Sequence, residues 1–239
     1  MVNLAYYYGG RAMYYRLDPT YILVLIGVVL SLLASAYVKS SFNKYARTRV
    51  MSGMTGAQVA ERILNQAGIY DVRIVPIAGN LTDHYNPKTK EVGLSETVYH
   101  ATSISAVSVA AHECGHVIQH ANGYVPITIR SALVPVANFG SSISWFLILA
   151  GLIFGIEPLI PIGIILFSAA VLFQLVTLPV EFNASHRALA IIRDSGIVTD
   201  TELRGSRRVL RAAALTYVAA AAAAILQLLR LLLLTRRND

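Results

Sequence analysis

Five consecutive residues carry most of the chemistry legible in this chain: His112, Glu113, Cys114, Gly115 and His116. Histidines four apart lie one turn apart on the same face of a helix, so both imidazoles can point at one ion. The glutamate beside the first histidine can approach a water on that ion from the side. Two nitrogen ligands with a neighbouring carboxylate are the parts of a hydrolytic zinc site. There the metal acidifies water and polarises a carbonyl while Glu113 serves as general base. Such a site needs a third protein ligand and one open position. His120 is at the wrong spacing, and no histidine follows until His186. The better candidate is Glu181, directly after a long apolar run, in Leu178-Pro179-Val180-Glu181-Phe182-Asn183-Ala184-Ser185.

Other polar residues have two readings each. His186 could orient a ligand or bind a carbonyl oxygen, or sit in solvent. Arg187 could pair with Glu181, with Glu113 or with a substrate carboxylate. His84 and Tyr85 stand beside an expected turn, where they could line a cleft or pack at the end of a hairpin. The strand pair around them could offer its edge to an extended peptide. Cys114 points away from the two histidines and reads as a small packing residue. Gly115 reads as a point of close approach to a neighbouring element. With one cysteine in the chain, an internal disulfide is excluded.

These residues need elements to hold them, and composition says which. Of 239 residues, 55% are hydrophobic and 14% charged, which excludes a disordered or collagen-like chain. The apolar residues are gathered into runs at 21–37, 138–156, 159–180 and 212–229. About 20 apolar residues cross the hydrocarbon of a bilayer, so four membrane helices are expected. Lys39, Lys44, Arg47 and Arg49 follow the first run, and Arg187, Arg193, Arg204, Arg207, Arg208 and Arg211 follow the third. The turn between the second and third carries only Glu157. The positive-inside rule then puts 38–137 and 181–211 in the cytoplasm and both termini outside. His116 and Glu181 are thus joined by a hairpin that leaves and returns to one side.

The expected organisation has five parts. Residues 1–37 form an extracytoplasmic N-terminus and first span, and 38–137 a cytoplasmic region with the HExxH helix. Residues 138–180 form the hairpin of spans two and three. A cytoplasmic segment, 181–211, brings the third ligand, and 212–239 form the fourth span and tail. Inside 38–137, Thr55 caps a helix that Gly68 ends. A strand is expected at 72–76, and a hairpin at 80–85 and 90–94 around Asn86-Pro87-Lys88-Thr89. Ser95 caps a short turn, and a helix runs over 104–121 to a stop at Gly123. The fold class is therefore mainly α: an integral membrane helical protein with a zincin-like cytoplasmic α+β portion. Tyr6, Tyr7, Tyr8, Tyr14, Tyr15 and Tyr21 read as an interfacial anchor. The net charge of +7 belongs to topology and surface. The bases are not interleaved with stacking aromatics, so no nucleic-acid partner is expected.

Five stretches together resemble the YugP-type neutral zinc metallopeptidases, a bacterial membrane family similar in general plan to the HtpX-type gluzincins. They are Ser41-Phe42-Asn43-Lys44-Tyr45, Gly53-Met54-Thr55-Gly56-Ala57, Leu81-Thr82-Asp83-His84-Tyr85, Ala111-His112-Glu113-Cys114-Gly115-His116 and the segment Leu178 to Ser185. The resemblance implies one zinc per chain, held by His112, His116 and Glu181, with Glu113 activating water. HtpX-like relatives usually carry an aspartate where Ser185 stands here, so the group that orients His112 or His116 is left open.

The expected function is an integral membrane zinc endopeptidase that cuts peptide bonds by Glu-assisted attack of zinc-bound water. Its site would lie on the cytoplasmic side of a bacterial-type plasma membrane. Membrane protein quality control is what the HtpX resemblance implies, with peptides or membrane proteins as substrates. The alternative is a non-proteolytic metal-binding scaffold or regulator. A transporter is disfavoured because the spans carry few ionisable residues. Small residues at Ala219 to Ala224 would suit close helix packing, in a homo-oligomer or with a regulatory partner.

Overall fold

A computed structural model of the chain describes residues 4–8, 11–15 and 18–235, with side chains from Asp18 onward. The tyrosines before Tyr21 therefore lie outside the described side chains. A backbone hairpin, β1 (Leu4–Tyr8) with β2 (Arg11–Tyr15), leads into the first helix.

Four helices are long and apolar enough to cross a membrane: α1 (Tyr21–Ala46), α5 (Val125–Phe154), α6 (Leu159–Asp194) and α7 (Asp200–Thr235). Large apolar side chains cover their outer faces, with Leu32, Phe146 and Ile153 among the most exposed. Such a surface suits lipid and not water. Each helix outruns the apolar run that announces it. α1 continues through Lys44 to Ala46, α5 begins well before Asn138, and α6 passes through Glu181 to Asp194. The reason is local. Beyond Val180 the chain keeps a helical stripe, with Ala184, Ala188 and Ile192 buried at four-residue intervals. The left-handed Gly196 then stands just past the helix.

The other elements pack between and beside the ends of these helices. They are α2 (Gly56–Gln66), β3 (Arg73–Ile77), β4 (His84–Asn86), β5 (Glu91–Ser95), α3 (Glu96–Tyr99) and α4 (Ile104–Ala121). The sheet order is β3-β5-β4, with β3 parallel and β4 antiparallel to the central strand. The expected hairpin is present but shorter and shifted, and β5 gains a parallel neighbour on its far side. Residues 80–83 are loop, with Leu81 at φ +57° and Asp83 turned to Ser95, and Asn86 pairs in β4 and not in the turn. Thr55 closes a reciprocal cap on α2: Gln58 N–H donates to its hydroxyl, and Thr55 N–H donates to the Gln58 side chain. Ser95 stands at the start of α3 but does not cap it. Its N–H and hydroxyl both donate to Asp83, which fixes the loop before β4 against the end of β5.

α4 is buried along almost its whole length and packs against α1, α2, α6 and α7. Ser103 caps its start by accepting from Ala106 N–H at 3.2 Å. Gly123, at φ +60°, ends it in a conformation that costs a side-chain-bearing residue, and Tyr124 N–H closes back on Gln119 O at 2.9 Å. α5 starts at the next residue, so the chain leaves α4 and at once passes the same cleft again. At the far end Glu202 receives N–H bonds from Thr199 and Met51, which ties the start of α7 to the loop before α2.

Candidate metal centre

α4 carries His112, Glu113 and His116, all buried, and packs across α6 at Glu181. The contact is close because position 115 has no side chain. A Cβ there would stand 2.7 Å from the Ala184 carbonyl oxygen. Across this seam Glu181 Oε2 lies 3.2 Å from His112 Nε2 and 3.6 Å from His116 Nε2. The imidazoles themselves meet edge to face, with centroids 4.7 Å apart.

Two imidazole nitrogens and a carboxylate oxygen within 4.8 Å of one another are a donor set that could hold a metal ion, and their chemistry suits zinc. Bonds of about 2.0–2.1 Å at tetrahedral angles separate neighbouring ligand atoms by about 3.3 Å, and the two observed separations bracket that spacing. The far ring nitrogens are engaged elsewhere. His116 Nδ1 lies 3.0 Å from Gln119 Oε1, and the amide's direction is fixed by its nitrogen, which donates to Val180 O at 2.8 Å and Asn183 Oδ1 at 3.0 Å. Oε1 can therefore only accept, so His116 carries a proton on Nδ1 and directs Nε2 toward Glu181. Ser185 Oγ stands 3.2 Å from His112 Nδ1 and can hold that ring in the same tautomer. Two imidazole nitrogens and a carboxylate oxygen that converge in a buried pocket are a donor set that a cation would satisfy.

The charges agree. Burial pushes the Glu113 carboxyl above the usual carboxylate range, and the two imidazoles only partly oppose this. Burial alone would lower His116, but the carboxylates of Glu181 and Glu113 outweigh it and raise the imidazole. Burial pushes the Cys114 thiol far up, and its Sγ lies 3.7 Å from Ala60 O against α2, so it packs and does not react.

Beside the three ligand atoms lies a cavity of about 150 Å³, lined among others by Glu113, His116, Glu181, His84, Tyr85, Arg130 and Tyr217. His84 and Tyr85 thus face the centre's cleft. His84 Nδ1 lies 2.9 Å from Thr82 O, and Tyr85 meets His120 edge to face at 6.1 Å. Arg187 is drawn instead to Asn183, donating from Nε at 2.7 Å, with its guanidinium 6.0 Å from the Tyr124 ring. His186 is exposed on α6, and among the described residues it makes no hydrogen bond or ion pair with the centre.

Sequence reasoning missed four participants. Gln119 sits three residues after His116, a helical spacing that could have flagged it. Ser185 had been noted only as the place of a missing aspartate. Arg130 brings Nη2 to 3.7 Å from Glu181 Oε1, while its buried Nε has no hydrogen-bond partner among the described residues. It is the only lysine or arginine between Gly123 and His186, which was a usable signal. Tyr217, in an alanine-rich apolar helix, gave none.

Comparison with known proteins agrees with this chemistry. The family described as "Putative neutral zinc metallopeptidase" matches residues 20–236. The chain is 51% identical over 197 residues to the "Putative membrane protease YugP" of Bacillus subtilis (strain 168), covering 82% of this chain and 88% of that protein. No solved structure matches the chain.

Proposed function

The chain belongs to the neutral zinc metallopeptidase family, and from that premise we propose that it is an integral membrane zinc endopeptidase of the gluzincin type. The observation that carries the proposal is the convergence of His112 and His116 from α4 with Glu181 from α6, beside a buried Glu113. His112, His116 and Glu181 would hold one zinc per chain. Bound there, zinc supplies Lewis acidity for a water and for a scissile carbonyl.

The chain's own groups do the rest. Glu113 takes a proton from the attacking water as its oxygen bonds to the carbonyl carbon. It returns that proton to the leaving nitrogen as the C–N bond breaks. The raised affinity of Glu113 for protons suits that shuttle. Arg130 and Tyr217 are among the hydrogen-bond donors in the lining, and they would meet the charge that develops on the carbonyl oxygen. β4 pairs with β5 on one side, and its other edge could align an extended substrate next to His84 and Tyr85.

The basic loops of the sequence support a site on the cytoplasmic side of a bacterial-type plasma membrane, where exposed segments of damaged membrane proteins are natural substrates. Topology is testable because Cys114, the chain's one cysteine, is buried. In a Tyr70→Cys variant, at a position 78% exposed, an impermeant maleimide should label inverted vesicles and spare right-side-out ones. The reverse pattern would overturn the orientation.

The function itself is tested on detergent-purified full-length protein by metal analysis and peptide cleavage together. Near one zinc per chain is expected, largely lost in Glu181→Ala. Glu113→Gln should keep zinc and lose cleavage, and cleavage that survives in it would sink the mechanism.

A further inference from the structure

Two cavities meet at Glu113. The second, of about 240 Å³, shares Glu113, Asp83 and Tyr217 with the first and also takes in His112. Apart from Thr216, whose hydroxyl donates back to Ala213 O at 2.7 Å, the rest of its lining is apolar. Val38 and Phe42 come from the last turns of α1, Val109 from α4, and Leu210 and Ala213 from α7. The Asp83 carboxylate on its wall is already engaged by Ser95. We propose that this cavity receives an apolar side chain, of leucine or phenylalanine size, from the residue that flanks the bond to be cut.

The inference rests on the protease reading above. A pocket for a whole drug-sized ligand runs to roughly 300–1,000 Å³, so this smaller space suits one side chain. The polar cavity holds the donors that a carbonyl needs. The apolar one begins at the same Glu113, and successive residues of a chain are only about 3.8 Å apart. A peptide whose carbonyl faces Arg130 and Tyr217 therefore has a neighbouring side chain within reach of Val109 and Ala213. An apolar side chain leaves water there at a gain. An acidic one would be stripped of water among these apolar side chains, with no cation among the described residues of the wall to pair with. The centre should thus cut beside large apolar residues and avoid acidic ones.

The test digests a random synthetic peptide mixture with the zinc-loaded full-length protein in detergent and maps the cut sites by mass spectrometry. Two peptides that differ only by leucine or alanine at the flanking position then give a ratio of kcat/KM. Wild type should favour leucine by roughly 10- to 100-fold. Ala213→Phe, which fills the cavity, should bring that ratio to about one or below. Val109→Ala, which enlarges it and guards against a fold defect in the first variant, should move the preference from leucine toward phenylalanine. As a readout apart from turnover, the zinc-loaded Glu113→Gln protein should bind the leucine peptide more tightly than the alanine one, and Ala213→Phe added to it should erase the difference. Cleavage without apolar preference, or a ratio that neither variant moves, overturns the pocket alone and leaves the cavity as space for lipid. A chain that holds zinc yet cuts nothing in the mixture overturns the protease reading, and the pocket with it.

Discussion

α4 and α6 both bring buried ligands to one centre, but they reach it by different routes. α4 supplies His112 and His116 by its own periodicity: any helix with histidines four apart puts them on one face. It is short, capped at Ser103, stopped at Gly123 and enclosed on nearly every side. α6 is long, with one portion facing lipid, and it supplies a single ligand that reaches the centre only through tertiary packing. It also contributes Asn183 and Ser185, two of the groups that hold the histidine rings in place. The lesson is a division of labour. On the proposed function, α4 would carry the catalytic carboxylate and two ligands, and α6 would complete the centre with Glu181.

Substitutions can break this division or sharpen it. The largest effect is expected on α4: Glu113→Gln should lower kcat by roughly 10²- to 10⁴-fold while metal analysis shows zinc retained. On α6, Glu181→Ala should weaken zinc by more than the roughly 10- to 100-fold that outer partners are worth, with helical content by circular dichroism unchanged. Equal loss of zinc in both variants would erase the distinction between the helices.

The orienting groups come next. Gln119→Ala and Ser185→Ala should each cost about 10- to 100-fold in zinc affinity, read by competition with a chelator. Ser185→Asp, which puts a carboxylate beside His112 Nδ1, should tighten it. At the seam itself, Gly115→Ala forces a methyl against the Ala184 carbonyl. It should cost about 1–3 kcal/mol of stability, seen as a lower thermal midpoint, and weaken zinc in parallel. The smallest effect is expected at Cys114, which should resist maleimide in the folded protein and react only after denaturation.

Where the cause was local the sequence was sufficient, except at Ser95, whose hydroxyl turns to Asp83 and does not cap α3. Four apolar runs sufficed to expect four membrane helices, because crossing hydrocarbon is a matter of length and composition. Thr55, Gly68 and Gly123 marked helix ends because capping and left-handed backbone are short-range requirements. The pair His112 and His116 was legible for the same reason. The helices' true lengths were harder, since apolarity reports the lipid-facing portion and not the amphipathic turns that continue it through Glu181 to Asp194.

Tertiary structure alone decided the rest. No spacing rule relates His112 to a carboxylate on another helix, yet packing at Gly115 brings Glu181 to 3.2 Å from it. Arg130 and Tyr217 come to one cavity from α5 and α7, and Gln119 becomes an orienting group only because Val180 and Asn183 fix which way its amide faces. These contacts depend on the registers of long helices packed against one another. Helix register is set by side chains interlocking across a seam, and a pattern read along one chain does not contain it.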